Sequence, residues 1–413
     1  MIKRLLKSTF LFFLIGILSC GNTNKRNDEP SESKNETQKT DEANKDIITG
    51  ANRTLEYLPL LKNKKVGIVG NQTSIIKTAK DDHIHLVDSL LSLEIRISKV
   101  FAPEHGFRGT ADAGEVIKDG MDSKTGLPVV SLYGDNKKPS SESLKDVDLM
   151  IFDIQDVGAR FYTYISSLHY IMEACAENNV PLLILDRPNP NGSYIDGPIL
   201  EPEHKSFVGM HPIPVVHGMT IAEYAKMING EKWLKNGIQC ELKIVEMENY
   251  DHSKSYSLPV KPSPNLPNDK SINLYPSLCF FEGTDVNAGR GTKNQFQVFG
   301  SPFLNKEHYN YTYTPEPMDG AKYPKHSGKK CYGKNLKDTA KLDSLNLEWL
   351  IEAYNNNENR NEFFNSFFTK LAGTKKLQQQ IESGISAQGI KDSWKNGLVE
   401  FRNLRDQYLI YKN

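Results

Sequence analysis

The stretch "VDLMIFDIQD" (residues 147–156) is an almost unbroken apolar run that ends in polar residues. A short apolar run of this kind is typical of a strand that is buried on both faces, as in a parallel sheet. Asp153, Gln155 and Asp156 stand where the predicted strand ends. In open α/β sheets, ligands bind beyond the carboxyl ends of the strands. The stretch therefore predicts a fold class and one edge at which a site could form.

Further strand patterns alternate with helical patterns between about residues 55 and 185. The predicted strands include "KKVGIVG", "IRISKVFA", "LPVVSLYG" and "VPLLILD", and helical periodicity occurs in "DDHIHLVDSLLSL" and "FYTYISSLHYIMEACAENN". This alternation predicts an α/β fold, a Rossmann-like doubly wound and mostly parallel sheet with helices on both faces. Neither G-x-G-x-x-G nor G-x-x-x-x-G-K-[ST] follows a strand, so nucleotide binding is disfavoured and no cofactor is expected.

The pattern changes after Pro188, where a long segment rich in proline and glycine begins. Loops of this length in compact domains are usually functional. Beyond them the sequence mixes strand-like pieces and loops with helices such as "LNLEWLIEAYNN". We predict a Rossmann-like catalytic domain over residues 51–250 and a smaller α+β C-terminal domain over residues 251–413. Thr220 and Glu223 have the spacing of a capping box, which predicts the start of a helix.

The N-terminus has the features of an export signal. A basic segment, "MIKRLLKS", precedes an apolar segment, "TFLFFLIGIL", that is too short to span a bilayer comfortably. "ILSC" then resembles a bacterial lipobox, which predicts a signal peptide at residues 1–19 and lipidation of Cys20. Residues 21–46 are almost devoid of apolar side chains, and we predict a disordered tether over residues 20–50. We expect a membrane-anchored lipoprotein that faces the periplasm; the alternative is a signal peptide that happens to contain a cysteine.

The composition excludes some partners and sites. Lys and Arg total 51, as do Asp and Glu, so the formal net charge is zero and nothing points to nucleic acid. No C-x-x-C or H-E-x-x-H spacing occurs, so the sequence gives no support for a metal site. The remaining cysteines permit disulfides without specifying any; they are Cys175, Cys240, Cys279 and Cys331.

Charged and polar clusters follow several predicted strands, and one more lies in a glycine-rich loop. The strand-end clusters are Glu104, His105 and Arg108 in "FAPEHGFRG"; Asp153, Gln155, Asp156 and Arg160; and Asp186, Arg187, Asn189 and Asn191. The loop "FEGTDVNAGRGT" supplies Glu282, Asp285 and Arg290. Because the carboxyl ends of parallel strands share one edge, the strand-end clusters are expected to converge on one crevice.

Each cluster also has a purely structural interpretation. Glu104 and Arg108 could form a local ion pair, and Asp156 could cap the helix that follows it. Arg160 could pair with Asp156 instead of binding an anionic ligand. The glycine-rich loop could be a tight turn with a surface ion pair. The residues alone leave these alternatives open.

Several motifs resemble one known family. "APEHGFRG", "FDIQDVGARFYTY", "LDRPNPNG", "GPIL", "PSPNLP" and "YPSLCFFEGTDVNAGRGT" are similar to the exo-β-N-acetylmuramidase family, also called DUF1343, from about Val66 to the C-terminal "YLIY". The resemblance implies a glycoside hydrolase that releases N-acetylmuramic acid from the non-reducing end of peptidoglycan fragments. It also implies a Rossmann-like catalytic domain, a smaller C-terminal domain and no nucleotide cofactor.

The resemblance places the family's catalytic glutamate at Glu104. Glu282 is our choice for the second catalytic group and Asp153 is next, although the acetamido group of the substrate could itself act as the nucleophile. Arg160 or Arg290 could bind the lactyl carboxylate. The full set of candidate substrate-binding residues is His105, Arg108, Gln155, Arg160, Asn71, Asn189, Asp285 and Arg290, with Gln72 as a further candidate for the cleft wall.

Two other functions compete with this interpretation. A lipid-anchored protein could bind cell-wall sugar fragments, such as muropeptides or disaccharides, without cleaving them. A different hydrolase is also conceivable, but no G-x-S-x-G motif supports an esterase.

Overall fold

The structure, a computed structural model, describes residues 45–109 and 119–413. The predicted signal peptide, Cys20 and residues 20–44 of the predicted tether lie outside these ranges. Residues 47–50, the last four of the predicted tether, belong to the fold instead. Ile48 pairs with Glu248 through the backbone, and the Gly50 N–H donates to the Asp186 carbonyl at 2.9 Å. Ile47 packs against an apolar cluster and Thr49 and Gly50 are buried, so the polar stretch ends before residue 47.

Strands in the described residues form three sheets. They are β1 (Val66–Gly70), β2 (Ile75–Lys77), β3 (His83–His85), β4 (Ile97–Ala102), β5 (Gly120–Met121), β6 (Pro128–Ser131), β7 (Leu149–Asp153), β8 (Leu182–Leu185), β9 (Leu242–Val245), β10 (Val298–Ser301), β11 (Tyr311–Tyr313) and β12 (Cys331–Asn335).

The largest sheet has the order β5-β6-β4-β1-β7-β8-β9. Its neighbouring strands are parallel except β5 and β6. Without the short edge strand β5, the order along the chain is that of a Rossmann sheet, in which the connections leave β1 in both directions. The predicted doubly wound parallel sheet is therefore confirmed.

Helices cover both faces of this sheet, as its continuous apolar strands require. Met150 and Phe152 of β7 belong to the core layer under helices Tyr164–Glu177 and Ile221–Gly230. Leu149 and Ile151 belong to the opposite layer. That layer packs under helices Thr54–Leu61 and Leu86–Ser92.

The other helices of the described residues are Ser141–Leu144, Asp269–Leu278, Glu348–Asn355, Phe367–Ala372, Lys376–Glu382 and Ala387–Arg405. Short 3₁₀ turns occur at Gly50–Asn52, Pro202–His204, Lys235–Gly237, Cys279–Gly283 and Arg360–Glu362.

The predicted capping box at Thr220 is confirmed. The Thr220 side chain accepts from the Glu223 N–H, and the Glu223 carboxylate accepts from the Thr220 N–H at 2.9 Å. Glu223 is fully buried and also accepts from the backbone N–H groups of Ile410 and Tyr411. One cap therefore starts a helix and fixes the C-terminal segment against it.

The smaller C-terminal part contains the antiparallel sheet β10-β12-β11 and several helices, as the predicted fold class requires. Asp46–Asn413 form one compact unit, and the domain boundary at residues 250/251 stays a prediction. Arg405 near the end of the last helix donates to the Gly218 carbonyl at 2.9 and 2.6 Å. Within the described residues, no helix combines the length and hydrophobicity needed to cross a membrane.

Candidate active site

A cavity of about 190 Å³ lies at the carboxyl edge of the large sheet. Residues from the loop after β4, from the approach to helix Tyr164–Glu177 and from the C-terminal part all border it. They are Glu104, His105, Phe161, Tyr162, Thr163, Tyr164, Val208, Ser263, Asn265, Leu266, Tyr275, Cys279, Glu282, Arg290, Phe296, Phe367 and Leu371. Four of the predicted site residues therefore meet in one pocket: Glu104, His105, Glu282 and Arg290.

Glu104 reaches the pocket because the chain turns sharply after β4. His105 and Gly106 follow it with φ of 73° and 78°, a left-handed conformation that is uncommon for a residue with a side chain. Such backbone conformations are concentrated at functional sites. The Thr163 hydroxyl donates to Glu104 Oε2 at 3.1 Å. Burial, and in addition the nearby Glu104 carboxylate, raises the pKa of Tyr164.

Glu282 approaches the pocket from the C-terminal part, on the 3₁₀ turn Cys279–Gly283. Its Oε2 lies 3.4 Å from Arg290 Nη1, and both side chains keep about a quarter of their surface exposed, 26% and 27%. Burial raises the pKa of Tyr275 well above its usual value, and Glu282 and Glu104 both add to that rise. The negative charges of both carboxylates therefore act on the Tyr275 hydroxyl. The two carboxylates face one pocket from two parts of the chain.

Asp153 lies in the core, away from the pocket. It is fully buried and makes a two-pronged ion pair with Arg187, with Nε–Oδ1 at 2.6 Å and Nη2–Oδ2 at 3.0 Å. The same guanidinium donates to the Ile75 carbonyl at 2.9 Å. The expected catalytic role of Asp153 does not fit this position. The end of β7 turns this carboxylate inward, where it joins the loops at the sheet edge.

Arg160 is also a scaffold residue and not a pocket residue. Its guanidinium is fully buried, and burial lowers its pKa to about 9. Nη1 donates to the carbonyls of Pro198 and Ile213 at 2.8 and 2.7 Å, and Nη2 donates to those of Leu371 and Ala372 at 2.9 and 2.7 Å. With these four bonds Arg160 joins distant segments, so it cannot bind a lactyl group in this structure.

The predicted amide side chains shape the loops beneath the pocket. Gln155 donates to the Asp156 and Pro188 carbonyls at 2.8 and 2.6 Å. Asn189 donates to the Met219 carbonyl at 2.9 Å. Asn71 donates to the Tyr164 hydroxyl at 2.8 Å, and Tyr164 lines the pocket. Asn71 therefore acts one contact behind the pocket wall, whereas Gln155 and Asn189 hold loops that do not border the pocket.

Arg108 and Asp285 have partners elsewhere. Arg108 binds Asp88 and Asp122 at 3.1 and 2.8 Å. Asp285 accepts from Asn357 Nδ2 at 2.9 Å, and burial raises the pKa of Asp285 to about 6. Neither residue borders the pocket, so the expected substrate contacts of both residues are not present here.

Most of the aromatic wall was not anticipated from the sequence. Tyr162 packs edge-to-face against Tyr164 and Tyr275, with ring centroids 4.9 and 5.9 Å apart. Phe296 packs likewise against Tyr275 at 4.9 Å. The aromatic-rich "FYTY" just before the helix was the available signal, because it follows a strand end by only a few residues.

One cluster in the described part of the chain combines metal-ligating atoms at short range, Glu201, Glu203 and His204. None of the three borders the pocket, and Glu201 is bound to Lys376 at 2.7 Å. Exposed acidic groups of this kind are common without an ion, so the cluster has no evident connection to the chemistry of the pocket.

Comparisons with known proteins agree along nearly the whole chain. The model of "Exo-beta-N-acetylmuramidase NamZ, N-terminal" matches residues 66–270, and the corresponding C-terminal model matches residues 273–411. The peptidoglycan beta-N-acetylmuramidase NamZ of Bacillus subtilis (strain 168) is 38% identical over 427 residues, which cover 98% of this chain and 100% of the relative.

Two crystal structures of DUF1343 family proteins from Bacteroides fragilis NCTC 9343 are similar to this one. The first has a TM-score of 0.82 and 46% sequence identity, and the match covers 89% of this chain and 100% of the other. The second has a TM-score of 0.74 and 28% identity, with 89% and 99% covered. Fold and sequence comparisons therefore point to the same family.

Proposed function

This chain belongs to the NamZ family of exo-β-N-acetylmuramidases, and on that premise we propose that it removes N-acetylmuramic acid from the non-reducing end of peptidoglycan fragments, with Glu104 and Glu282 as its catalytic pair. The observation that carries this assignment is the meeting of these two carboxyl groups in one aromatic-walled pocket. Glycoside hydrolysis uses two carboxyl groups on either side of the scissile bond.

Glu104 is the proton donor to the leaving oxygen. Its position after β4 fixes the main chain, and the Thr163 hydroxyl at 3.1 Å orients one carboxyl oxygen. A positioned acid contributes about 10²–10⁴-fold in rate. The surrounding aromatic rings exclude water, which strengthens electrostatic interactions within the pocket.

Glu282 acts on the group that attacks the anomeric carbon. It either activates the attacking water or orients the acetamido group of the substrate, and both routes leave Glu104 as the acid. Arg290 lies beside Glu282 at 3.4 Å and lines the same pocket. Its planar guanidinium suits two-pronged binding of a carboxylate, so we assign it to the lactyl group of muramic acid.

The size of the pocket suits attack at a chain end. Its volume of about 190 Å³ is below the range of about 300–1,000 Å³ that is usual for sites of drug-sized ligands. A single terminal sugar is therefore a better occupant than an internal stretch of glycan.

The test is the substitution Glu104→Gln, assayed with a chromogenic N-acetylmuramic acid glycoside. We expect kcat to fall by about 10²–10⁴-fold because the acid is lost, with the melting temperature unchanged. Glu400→Gln on the exposed side of the last helix is the matched control. Near-wild-type turnover by Glu104→Gln would remove the acid role. An inactive wild-type enzyme that still binds the sugar would favour the non-catalytic binding protein.

We further propose that lipidation of Cys20 anchors the protein in a membrane with its folded part on the periplasmic side. The support is the sequence alone: a basic segment, a short apolar segment and a cysteine, followed by a polar tether. Cys20→Ala should release the protein from the membrane fraction, and mass spectrometry should detect the lipid on the wild-type N-terminus. An unmodified Cys20 in the mature wild-type protein would contradict the anchor.

A further inference from the structure

A second cavity lies outside the catalytic pocket and is larger, about 410 Å³ against about 190 Å³. Tyr256, Ile272 and Pro190 form much of its apolar lining. Lys270 and Lys341 contribute two ammonium groups, and the proposed reaction uses neither of them.

The charge of this cavity favours an anion. Lys341 Nζ donates to Ser255 Oγ at 2.9 Å, and Lys270 Nζ donates to the Thr339 carbonyl. Each ammonium has three N–H donors, so one bond to the protein leaves donors for a ligand. Among the residues that the structure describes, Asp269 is the one carboxylate in the lining, against two ammonium groups. A sugar ring against the apolar wall, with a carboxylate at the lysines, matches this combination.

Both cavities are bordered by loops that follow strands of the large sheet. Glu104 follows β4, and Pro190 lies in the loop that follows β8, so both belong to the carboxyl edge of the sheet. The segment from residue 255 to residue 266 borders the second cavity at its beginning and the catalytic pocket at its end. Gln72 holds this segment by donating to the Pro262 carbonyl at 3.0 Å.

Helix Asp269–Leu278 gives the separation. Its first residues, through Asn273, border the second cavity, whereas Tyr275 and the following Cys279 border the catalytic pocket. Asn273 and Tyr275 are only two residues apart, about 3 Å along the helix axis, so the two cavities border neighbouring parts of one helix. This proximity suits a glycan of a few sugars that begins in the catalytic pocket.

Muramic acid alternates with N-acetylglucosamine in peptidoglycan, so a lactyl carboxylate recurs at every second sugar. We propose that the second cavity binds the lactyl carboxylate of the muramic acid two sugars beyond the cleaved terminal one, through Lys270 and Lys341. This assignment rests on the proposed function and extends it to substrate length: a peptide-free tetrasaccharide is a better substrate than a disaccharide.

The experiment compares three substrates with muramic acid at the non-reducing end. They are the disaccharide, the tetrasaccharide, and a tetrasaccharide whose inner lactyl carboxylate has been converted to an amide. The full-length wild type is compared with the double variant Lys270→Gln and Lys341→Gln. Lys62→Gln is the matched control, because residue 62 precedes β1 at the opposite edge of the sheet.

We expect the double substitution to lower the ratio of kcat/KM for tetrasaccharide over disaccharide by about tenfold, the scale of one charge-assisted hydrogen bond. The amidated tetrasaccharide should show the same loss with the wild-type enzyme, which tests the idea without any mutation. Equal ratios for wild type and double variant, or no preference for the carboxylate over the amide, would overturn it.

The failure of the proposed function is a separate outcome. If the wild type releases no muramic acid from the disaccharide, the hydrolase assignment fails. The role of the second cavity is then tested by calorimetry, which measures sugar binding to the intact chain. Tighter binding of the tetrasaccharide than of its amide, abolished by the double substitution, supports the cavity; equal binding overturns it.

Discussion

The pocket carboxylates and the buried charges behind them look alike in the sequence, since both groups are charged residues in polar stretches that follow apolar ones. Glu104 and Glu282 face a pocket and keep part of their surface exposed. Asp153 is paired with Arg187, and Arg160 donates from Nη1 and Nη2 to four backbone carbonyls. A charge at a strand end is therefore a candidate for function only when the fold has not already supplied its partners.

Removing a buried partner should give the largest effect. Asp153→Ala leaves Arg187 buried without its carboxylate, which typically costs about 3–5 kcal/mol in the free energy of unfolding. Urea denaturation should report this loss. Asp146→Ala breaks the exposed ion pair with Lys65 at 3.0 Å and should leave stability near wild type. Equal stabilities for the two variants would contradict the structural role assigned to the buried ion pair.

Glu282→Gln should act on catalysis instead. We expect kcat to fall by about a hundredfold, the lower end of the range for a positioned acid or base, while the urea midpoint stays at the wild-type value. If the substrate amide is the nucleophile, an analogue that lacks the acetamido group should be inert even with the wild-type enzyme. Normal turnover by Glu282→Gln would contradict the role of Glu282 as the second catalytic group.

Arg160 and Arg290 are equivalent candidates in the sequence for binding the lactyl carboxylate, but their substitutions should have different effects. Arg290→Met should lower the kcat/KM preference for muramic acid over N-acetylglucosamine glycosides by about tenfold, because the lactyl carboxylate loses a two-pronged partner. Arg160→Met should lower the melting temperature, because four carbonyls lose their donor, and should leave that preference intact. A changed preference in the Arg160 variant alone would reverse the assignment.

A pH-dependent effect is expected at Asp156. Burial raises its pKa to about 7 from a usual 3.8; its Oδ2 accepts from the Gly158 N–H at 2.7 Å, and His217 Nε2 lies 3.9 Å away. Between these pKa values the folded state holds a proton that the unfolded state has released. Its contribution to stability therefore falls as the pH rises through this window, by up to about 1.4 kcal/mol per pH unit.

Asp156→Asn keeps an acceptor for Gly158 and removes the titration. The difference in unfolding free energy between variant and wild type should then grow in favour of the variant from pH 5 to pH 7 and level off above about pH 7. Asp186, whose pKa burial also raises to about 7, titrates in both proteins and cancels in this difference. A constant difference across the window would contradict the buried proton.

The contrast between pocket and core also explains which features can be predicted from the sequence. Apolar runs such as Leu149–Asp153 predict the parallel sheet, because burial on both faces leaves a local pattern. Glu104 could be placed because it follows such a run directly. The inward turn of Asp153 could not, because it depends on Arg187, 34 residues further along the chain. The aromatic wall needs Tyr162 and Tyr275 to meet, which no local pattern records.

Arg160 has a consequence for the history of the molecule. Two of its carbonyl partners, Pro198 and Ile213, lie within the region matched by the N-terminal family model, and the other two, Leu371 and Ala372, lie within the region matched by the C-terminal one. A second hydrogen bond joins the same two parts, because the Tyr411 hydroxyl of the C-terminal part donates to Asp186 Oδ2 of the N-terminal part at 2.8 Å. A gene that passed on only the N-terminal part would encode a buried guanidinium with two of its four acceptors missing, so recombination between unrelated proteins is expected to transfer both parts together.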